Sequence, residues 1–468
     1  MGNTAVTGPV DKGANRYGGA MRKTPVIVAI LFLAAMSMRL IDIGGRSLWV
    51  DEGATAINSR QDLDRILAGE ANHVEHPPGY YALIHLTSVI SDSEAGLRIP
   101  SALVSALSVI VTYSLGRRLV DHRFGLTAAA ILLLAPLDLW YAQEARQPVF
   151  AAAAVTGALW GLTRRGRLGY PIAVMALLVG LYIDYITAAG WVAVGAIWVV
   201  VWLKRDRARV LDWLLVSGLA FLIYAPIRGR EFVEGFRTLL DYDGAGLWYG
   251  SVLGSNPVTA NAFGLLLVAA ILAALTIILG NRLTKSVRWG SHWSIALVVG
   301  FALISVLTVI PRAYSVKKVL VVGWPVLTLI VAYLIINRLG DRWRRPVAVG
   351  LLAASALACG VSLLIPKDDW RGAVSYINAT ATSGDVAWTR DDPWAADAYL
   401  YYGGSLPVFL EAEPSGADLP ANGEVWLITY RRPQDVAPSL AVEEWFDQNW
   451  RLVEEVLFYR LAIRHYAR

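Results

Sequence analysis

Long apolar stretches with few charged side chains recur throughout the first 366 residues of this 468-residue chain. A helix needs roughly 20 such residues to cross the hydrocarbon core of a bilayer. Eleven stretches approach or reach that length and are predicted to be membrane spans: 24–43, 97–116, 124–141, 148–163, 169–187, 188–203, 211–227, 261–280, 291–311, 316–337 and 346–365. The composition, 56% hydrophobic and 17% charged, agrees and excludes a soluble, disordered or fibrous protein.

The charges are distributed unevenly between the two parts of the chain. Residues 1–366 carry a net charge of +12, and residues 367–468 carry −7. The short segments on one side of the predicted spans hold 21 Lys and Arg, which is typical of cytoplasmic loops. We therefore predict a cytoplasmic tail over 1–23, a membrane domain over 24–366 and an extracytoplasmic domain over 367–468. Since the basic excess belongs to membrane loops, a nucleic-acid partner is excluded.

The remaining segments complete the predicted fold. Residues 77–90 are apolar but too short to span, which favours an interfacial helix inside a large first outer loop, 44–96. In the tail, helix-like and strand-like segments alternate, which is typical of a small α/β domain. The predicted fold class is thus an α-helical polytopic membrane protein with about 11 transmembrane helices and a small C-terminal extracytoplasmic α/β domain. The single cysteine, Cys359, allows no disulfide within the chain.

A tandem carboxylate pair, Asp51 and Glu52, directly follows the first span in the sequence Ser-Leu-Trp-Val-Asp-Glu-Gly. One interpretation is a general base with an adjacent carboxylate that tunes it. The other is the start of a helix, because acidic side chains favour the positive end of a helix dipole. The pair alone does not decide between a chemical and a structural role.

The first outer loop also contains His73-Val-Glu75-His76-Pro-Pro-Gly-Tyr80-Tyr81. Two histidines and a carboxylate could bind a metal, but a structural zinc site lacks a fourth nearby ligand and any cysteine. The Pro-Pro pair instead fixes an extended backbone that presents one side chain in a defined direction. A requirement for a divalent cation stays open.

A third polar cluster lies at the outer end of a predicted span, with Tyr141, Gln143, Glu144 and Arg146 within six residues. An isolated arginine at such a position is often a snorkelling anchor. An arginine is also suited to holding a lipid phosphate, because its planar fork binds phosphate bidentately. Other cations on the predicted outer side that could do the same are Arg98, Arg312 and Lys317.

Taken in order, these motifs resemble the GT-C superfamily of glycosyltransferases that use polyprenyl-phosphate sugars. The resemblance is strongest to glycosyltransferase family 39, the group of protein O-mannosyltransferases and aminoarabinose transferases. It is carried by Leu48-Trp-Val-Asp-Glu, His76-Pro-Pro-Gly-Tyr-Tyr, Leu97-Arg-Ile-Pro-Ser, Gly116-Arg-Arg-Leu and Tyr141-Ala-Gln-Glu-Ala-Arg. The chain departs from the usual pattern at Gly53-Ala54, where members often carry an aromatic residue, and at Gln147-Pro148, where Met-Tyr is common.

The resemblance implies an inverting transfer of a sugar from a polyprenyl-phosphate donor to a hydroxyl of a glycan, lipid or protein, on the extracytoplasmic side of the plasma membrane. It implies that Asp51 is the catalytic base and Glu52 its partner, and that Arg146 and Arg312 hold the phosphate, with Lys317 and Arg98 as further candidates. The side chains expected to shape the pocket are Trp49, His76, Tyr80, Tyr81, Tyr141, Gln143 and Glu144.

Two other functions remain compatible with the sequence. A ligase or polymerase that uses a lipid-diphosphate donor would also be multi-pass with basic residues outside, but would not need the carboxylate pair. A flippase or transporter of lipid-linked sugars would be expected to place charges near the middle of the membrane. Here the charges cluster at the ends of the predicted spans, and Asp184 and Asp212 are the nearest exceptions.

Overall fold

A computed structural model of the chain describes residues 14–70, 76–164, 168–203, 206–241, 314–389, 393–410, 423–431 and 436–468. Up to residue 364 the regular elements in these ranges are helices: α1 (Ala14–Leu40), α2 (Val50–Asn58), α3 (Leu63–Ala68), α4 (Gly79–Ser88), α5 (Glu94–Leu119), α6 (His122–Leu133), α7 (Pro136–Ala142), α8 (Pro148–Thr163), α9 (Gly169–Ile183), α10 (Ile186–Trp202), α11 (Arg207–Asp241), α12 (Tyr314–Asn337) and α13 (Asp341–Leu364).

Four of the described helices are long and apolar enough to cross a membrane, namely α5, α11, α12 and α13. A fifth span is formed if the bent pair α6 and α7 counts as one. The apolar helices α8, α9 and α10 and the apolar part of α1 are shorter than 18 residues. The chain is thus mostly helical and membrane-embedded, while the total of eleven spans remains a prediction, because 261–280 and 291–311 lie outside the described residues.

Two breaks between helices follow directly from the sequence. The predicted division of 169–203 is confirmed, since α9 ends at Ile183 and α10 begins at Ile186, with Asp184 between them. The predicted span 124–141 is not one straight helix, because α6 and α7 meet at an angle of 60°. Proline at position 136 disfavours a helical conformation at the preceding residue, and Ala135 is extended, with φ −83° and ψ 112°.

The short helices α2, α3 and α4 lie together at one end of the bundle, which we call the α2 end. Residues 77–90 form the predicted short helix, α4, whose first residue, Gly79, approaches the carbonyl oxygen of Tyr182 at the end of α9 with no room for a Cβ atom. A buried ion pair fixes α7 to α1, with 2.6 Å between Arg39 Nη2 and Asp138 Oδ2. These contacts bring the first loop and the α7–α8 connection to the same place.

Residues 370–467 contain a mixed sheet and three helices: α14 (Trp370–Thr380), β1 (Val386–Trp388), α15 (Pro393–Tyr401), β2 (Val408–Phe409), β3 (Val425–Tyr430), α16 (Val436–Asn449), β4 (Arg451–Phe458) and β5 (Leu461–Ala467). The strand order is β2-β1-β3-β5-β4. β1 is parallel to β2 and β3, whereas β5 is antiparallel to β3 and β4. Apolar side chains of α14 and α15 cover one face and those of α16 cover the other. The sequence patterns predicted the helices α14, α15 and α16 and the strands β1, β3 and β4, but missed β2 and β5.

Candidate active site

The two neighbouring carboxylates lie in the first turn of α2. Trp49 precedes the helix in an extended conformation, with φ −88° and ψ 171°, and its backbone N–H lies 3.4 Å from Glu52 Oε2. This contact satisfies one of the donors that a helix start leaves unpaired. The structural interpretation of the motif, a helix start, is therefore correct for Glu52. Since successive helical residues point about 100° apart, Asp51 faces different surroundings.

Glu52 is completely buried and accepts hydrogen bonds from three directions. Arg98 Nε lies 2.7 Å from Oε1 and Arg98 Nη2 lies 2.8 Å from Oε2, a bidentate pair. Lys367 Nζ lies 2.9 Å from Oε2, and the backbone N–H of Ala145 lies 2.8 Å from Oε1. Glu52 thus joins the first loop, α5, the α7–α8 connection and the segment after α13.

Burial alone would raise the pKa of Glu52, but the charges of Arg98 and Lys367 and the hydrogen bonds from Arg98 and Ala145 outweigh it. The pKa of Glu52 is consequently held well below its usual range, and the carboxylate is ionised at neutral pH. With no exposed surface, the Glu52 carboxylate is not accessible to a substrate. Its expected role as the partner of Asp51 stays a prediction, and its buried ion pairs suit it to positioning that neighbour.

Arg98 was expected to be a phosphate ligand, and its geometry corrects that expectation. Its Nη1 donates to the carbonyl oxygens of Ile43 and Arg46, both at 2.8 Å, and its Nη2 also donates to that of Ser47 at 3.0 Å. With the bidentate pair to Glu52, every N–H of the guanidinium is used within the protein. Arg98 holds the chain segment 43–52 in place and has no donor left for a lipid phosphate.

Asp51 faces away from this buried cluster and contacts the arginine of the third motif. Its Oδ2 lies 3.2 Å from Arg146 Nη2, and its backbone carbonyl oxygen lies 3.4 Å from Arg146 Nη1. The Asp51 side chain is 17% exposed, whereas that of Glu52 is 0% exposed. The structure therefore brings together the residues predicted to be the base and the phosphate ligand, and leaves part of the Asp51 side chain accessible.

Glu144 and Lys367 connect the accessible pair to the buried cluster. Lys367 Nζ lies 3.5 Å from Glu144 Oε1 and 3.2 Å from the carbonyl oxygen of Gln143. Burial raises the pKa of Glu144; Lys367 opposes this and the charge of Glu52 adds to it. Burial lowers the pKa of Lys367, and the negative charges of both glutamates oppose this shift.

Gln143 was expected in the pocket, but its amide donates to the carbonyl oxygens of Arg39, at 3.1 Å, and Ile41, at 2.7 Å, so it fixes the end of α1.

The predicted tyrosines line the same region and are buried. The ring of Tyr80 meets that of Phe150 edge-on, with 5.4 Å between centroids, and Tyr81 follows it on α4. Burial raises the pKa of Tyr81 to about 12, while the charge of Arg146 opposes this shift and the charge of Asp51 adds to it. Tyr141 lies buried on α7, three residues before Glu144.

Four further predicted residues are located less fully. Trp49 is half-buried at the start of α2, and His76 is half-buried in the turn before α4. Arg312 lies outside the described residues. Lys317 belongs to α12, whose side chains are described only from residue 320. The predicted roles of Arg312 and Lys317 therefore remain predictions.

The predicted histidine cluster of the first loop lies only partly within the described residues. Among the residues that the structure describes, no group of three or more His, Cys, Asp or Glu side chains is arranged to hold a metal ion. His73 and Glu75, two members of the histidine cluster, lie outside those residues.

An apolar groove of about 300 Å³ lies between α5, α8 and α9. Its lining includes Val104, Phe150, Ala153, Met175 and Val179. The groove occupies the half of these helices nearest the α2 end, and the Phe150 ring that lines it also contacts Tyr80. It therefore includes the first turn of α8, which follows Arg146 in the chain.

Sequence reasoning missed three side chains that organise the site: Lys367, Arg46 and Tyr402. Arg46 donates to Gln143 Oε1 and lies 5.7 Å from the centre of the Trp140 ring. Tyr402 contacts the segment before α2. The position of Lys367 could have indicated a pairing, because a charged side chain at the end of an apolar span is costly unless it is paired. Its partner Glu52, however, is 315 residues away in the sequence.

Comparison with known proteins gives one sequence-family match and several similar solved structures. The sequence family described as dolichyl-phosphate-mannose-protein mannosyltransferase matches residues 75–228. No curated protein sequence matches the chain. The crystal structure of ArnT from Cupriavidus metallidurans bound to undecaprenyl phosphate is similar, with a TM-score of 0.50 and 14% identity, covering 94% of this chain and 98% of that chain. The crystal structure of the same protein in the apo state has a TM-score of 0.50 and 16% identity, covering 93% of this chain and 97% of that chain.

At such low identity the structural likeness establishes the fold. The family match over residues 75–228 spans α4, α5 and the Arg146 motif, so this part of the chain is similar in sequence to that family. The long apolar helices make the chain an integral membrane protein.

Proposed function

We propose that this protein transfers a sugar from a polyprenyl-phosphate donor to a hydroxyl of a glycan, lipid or protein, on the extracytoplasmic side of the membrane. The observation that carries the proposal is the Asp51–Arg146 contact, 3.2 Å between Oδ2 and Nη2 in a partly accessible position. The similar ArnT structure binds undecaprenyl phosphate, which supports a donor of this class. The basic-residue asymmetry supports the orientation, with 1–23 cytoplasmic and the 367–468 domain outside.

In this proposal the donor phosphate replaces Asp51 as the partner of Arg146. A guanidinium can hold two phosphate oxygens, and the exchange withdraws Arg146 from the Asp51 carboxylate, which then accepts the proton. The acceptor hydroxyl oxygen then attacks the anomeric carbon, its proton passes to Asp51, and the bond between the anomeric carbon and the phosphate oxygen breaks. A single displacement inverts the anomeric centre.

The charge that develops in this step lies on the leaving group. The donor phosphodiester carries one negative charge, and the released polyprenyl phosphate approaches two. Arg146 is already fixed beside the reacting carboxylate, so it can stabilise this charge without reorganisation. Tyr81 and Tyr141 border the pair and supply aromatic surface against which a sugar ring can pack.

The apolar groove between α5, α8 and α9 supports a lipid-linked donor. It is lined by aliphatic side chains and an aromatic ring, and its lining residue Phe150 follows Arg146 by four positions in the chain. We assign the isoprenoid chain of the donor to this groove, because a phosphate at Arg146 would then place the first isoprene units beside Phe150.

The test is sugar transfer by the purified protein from a panel of radiolabelled polyprenyl-phosphate sugars, with Arg146→Lys as the variant and Arg60→Lys as the matched control. Arg60 pairs with Asp92 on the exposed surface of the same loop. We expect transfer from a monophosphate donor, loss of activity in Arg146→Lys because the planar fork is lost, and normal activity in Arg60→Lys. Transfer only from lipid-diphosphate donors would favour a ligase or polymerase, and movement of lipid-linked sugar across vesicles without transfer would favour a flippase.

A further inference from the structure

The segment that carries Asp51 is held from the C-terminal domain as well as from the membrane helices. The hydroxyl of Tyr402 accepts a hydrogen bond from the backbone N–H of Leu48, with 2.6 Å between the atoms. Ser47 Oγ lies 3.1 Å from the same hydroxyl. Ser47 and Leu48 precede α2 and belong to no helix, so their polar groups need partners from elsewhere in the chain.

Helix α15 also packs directly against α2, at the turn that contains Asp51. At Gly53, a Cβ atom would lie 2.6 Å from the Cα atom of Ala398 and 2.8 Å from its Cβ atom. Any larger residue at position 53 would push the two helices apart. The absence of a side chain at Gly53 thus permits the close contact between the catalytic helix and the C-terminal domain.

A third contact fixes the same segment from α14. The backbone N–H of Arg371 donates to Ser47 Oγ at 3.1 Å, and Arg371 Nη2 lies 2.7 Å from Glu94 Oε1. The Tyr402 hydroxyl lies 3.1 Å from the same Glu94 oxygen. The C-terminal domain therefore contacts residues 47–53 at two places, the backbone before α2 and the first turn of α2. It also contacts Glu94 at the start of α5.

We propose that the C-terminal domain is a positioning part of the active site, in which Tyr402, Ala398 and Arg371 hold residues 47–53 so that Asp51 stays aligned with Arg146 and the acceptor. We call these three residues the clamp. Tyr402 is a positioning residue, because it acts on Asp51 through the backbone of Leu48 and touches no reacting atom. The inference rests on the proposed function in so far as Asp51 is the base.

The clamp is tested with Tyr402→Phe, which removes one hydroxyl and keeps the ring. The matched control is Tyr401→Phe: the Tyr401 hydroxyl bonds to the carbonyl oxygen of Asp92 at 2.9 Å, so it joins the same domain to the same loop but not to residues 47–53. Because misplacement of a reacting group by about 1 Å can cost about 100-fold in rate, we expect Tyr402→Phe to lower kcat by about 10- to 100-fold. The KM for the donor should stay within about twofold, since Arg146 is untouched.

Unchanged kcat in folded Tyr402→Phe overturns the inference, as does an equal loss of kcat in Tyr401→Phe, because the effect would then belong to domain attachment in general. If Tyr402→Phe does not fold, Ser47→Ala replaces it: this variant removes the Ser47 contacts to Tyr402 and Arg371. It should lower kcat by a smaller factor, and unchanged kcat there also overturns the inference. Asp51→Asn is measured in parallel. If Asp51→Asn keeps full turnover, the proposed function fails; if it is inactive while both clamp variants turn over normally, only the clamp fails.

Discussion

Asp51 and Glu52 are adjacent carboxylates in one turn of one helix, yet their surroundings have opposite character. Glu52 lies in a sealed cluster with Arg98 and Lys367 and has no exposed surface. Asp51 is 17% exposed and contacts Arg146, which is itself 6% exposed. The first carboxylate is therefore partly accessible, and the second faces the protein interior.

Under the proposed function, this difference means that the tandem acidic motif combines a catalytic residue, Asp51, with a residue that positions it, Glu52. A buried charge is expensive and is retained only when it is paired on several sides. Glu52 meets that condition through contacts that reach α5 and the segment after α13. Because these contacts fix Glu52, they also fix the first turn of α2, which carries Asp51.

The largest effect that separates the two carboxylates is expected in turnover. Asp51→Asn keeps the size of the side chain and removes the base, so sugar transfer per folded molecule should fall by about 10²- to 10⁴-fold. Thermal stability should stay close to that of the wild type. Asp64→Asn, an exposed residue on α3 of the same loop, is the control and should transfer normally. Near-normal turnover in Asp51→Asn would reduce the residue to part of a helix start.

Glu52→Gln should reverse this pattern and act on folding. Removing one partner of a buried ion pair costs about 3–5 kcal/mol, because Arg98 is left buried without its countercharge and Lys367 keeps only Glu144. The measurement is thermal unfolding in detergent, with the exposed Glu444→Gln as the control. A variant with wild-type stability would show that the buried cluster is not essential to the fold.

The pH dependence sharpens the same comparison. Because the pKa of Glu52 is depressed in the folded protein, the stabilisation is complete above its unfolded value of about 4.3 and is lost as the pH falls below that value. The difference in melting temperature between wild type and Glu52→Gln should therefore be largest at neutral pH and should shrink below about pH 4. A difference that is independent of pH would contradict an ionised Glu52.

A smaller effect is expected at the apolar groove. Ala153→Phe fills the groove, and each CH₂ of the donor chain that is excluded costs about 0.8 kcal/mol, so loss of two would raise KM roughly tenfold for a long isoprenoid donor. A donor with a ten-carbon chain should be affected less. Val192→Phe, on the exposed surface of α10, is the control. Equal effects on both chain lengths would place the lipid elsewhere.

Much of the helical architecture could be predicted because its signals are local. The break at Asp184 is visible as a charge inside a run long enough for two helices, and the structure has it there. The bend before Pro136 was missed because the apolar run continues through it, although a proline restricts the residue before it. Strand β5 was missed because Arg464 and His465 interrupt its apolar pattern, while its register is set by pairing with β3 and β4.

The site was predicted less completely, for a physical reason. Sequence position showed that Asp51, Arg98 and Arg146 lie near the same end of the helices, but not which cation meets which carboxylate. Arg98 was assigned to the phosphate because its partner Glu52 is 46 residues away. Residue types indicate the chemistry that is available at a site, whereas long-range packing decides which side chains remain free to perform it.

The central claim is that the donor phosphate takes the place of Asp51 on Arg146, and binding of polyprenyl phosphate without sugar tests it directly. Affinity is measured by titration for the wild type, Asp51→Asn and Arg146→Ala. Removing the competing carboxylate should leave Asp51→Asn binding at least as tightly as the wild type, and removing the guanidinium should weaken binding in Arg146→Ala. If Asp51→Asn loses as much affinity as Arg146→Ala, the exchange does not occur and the account is contradicted.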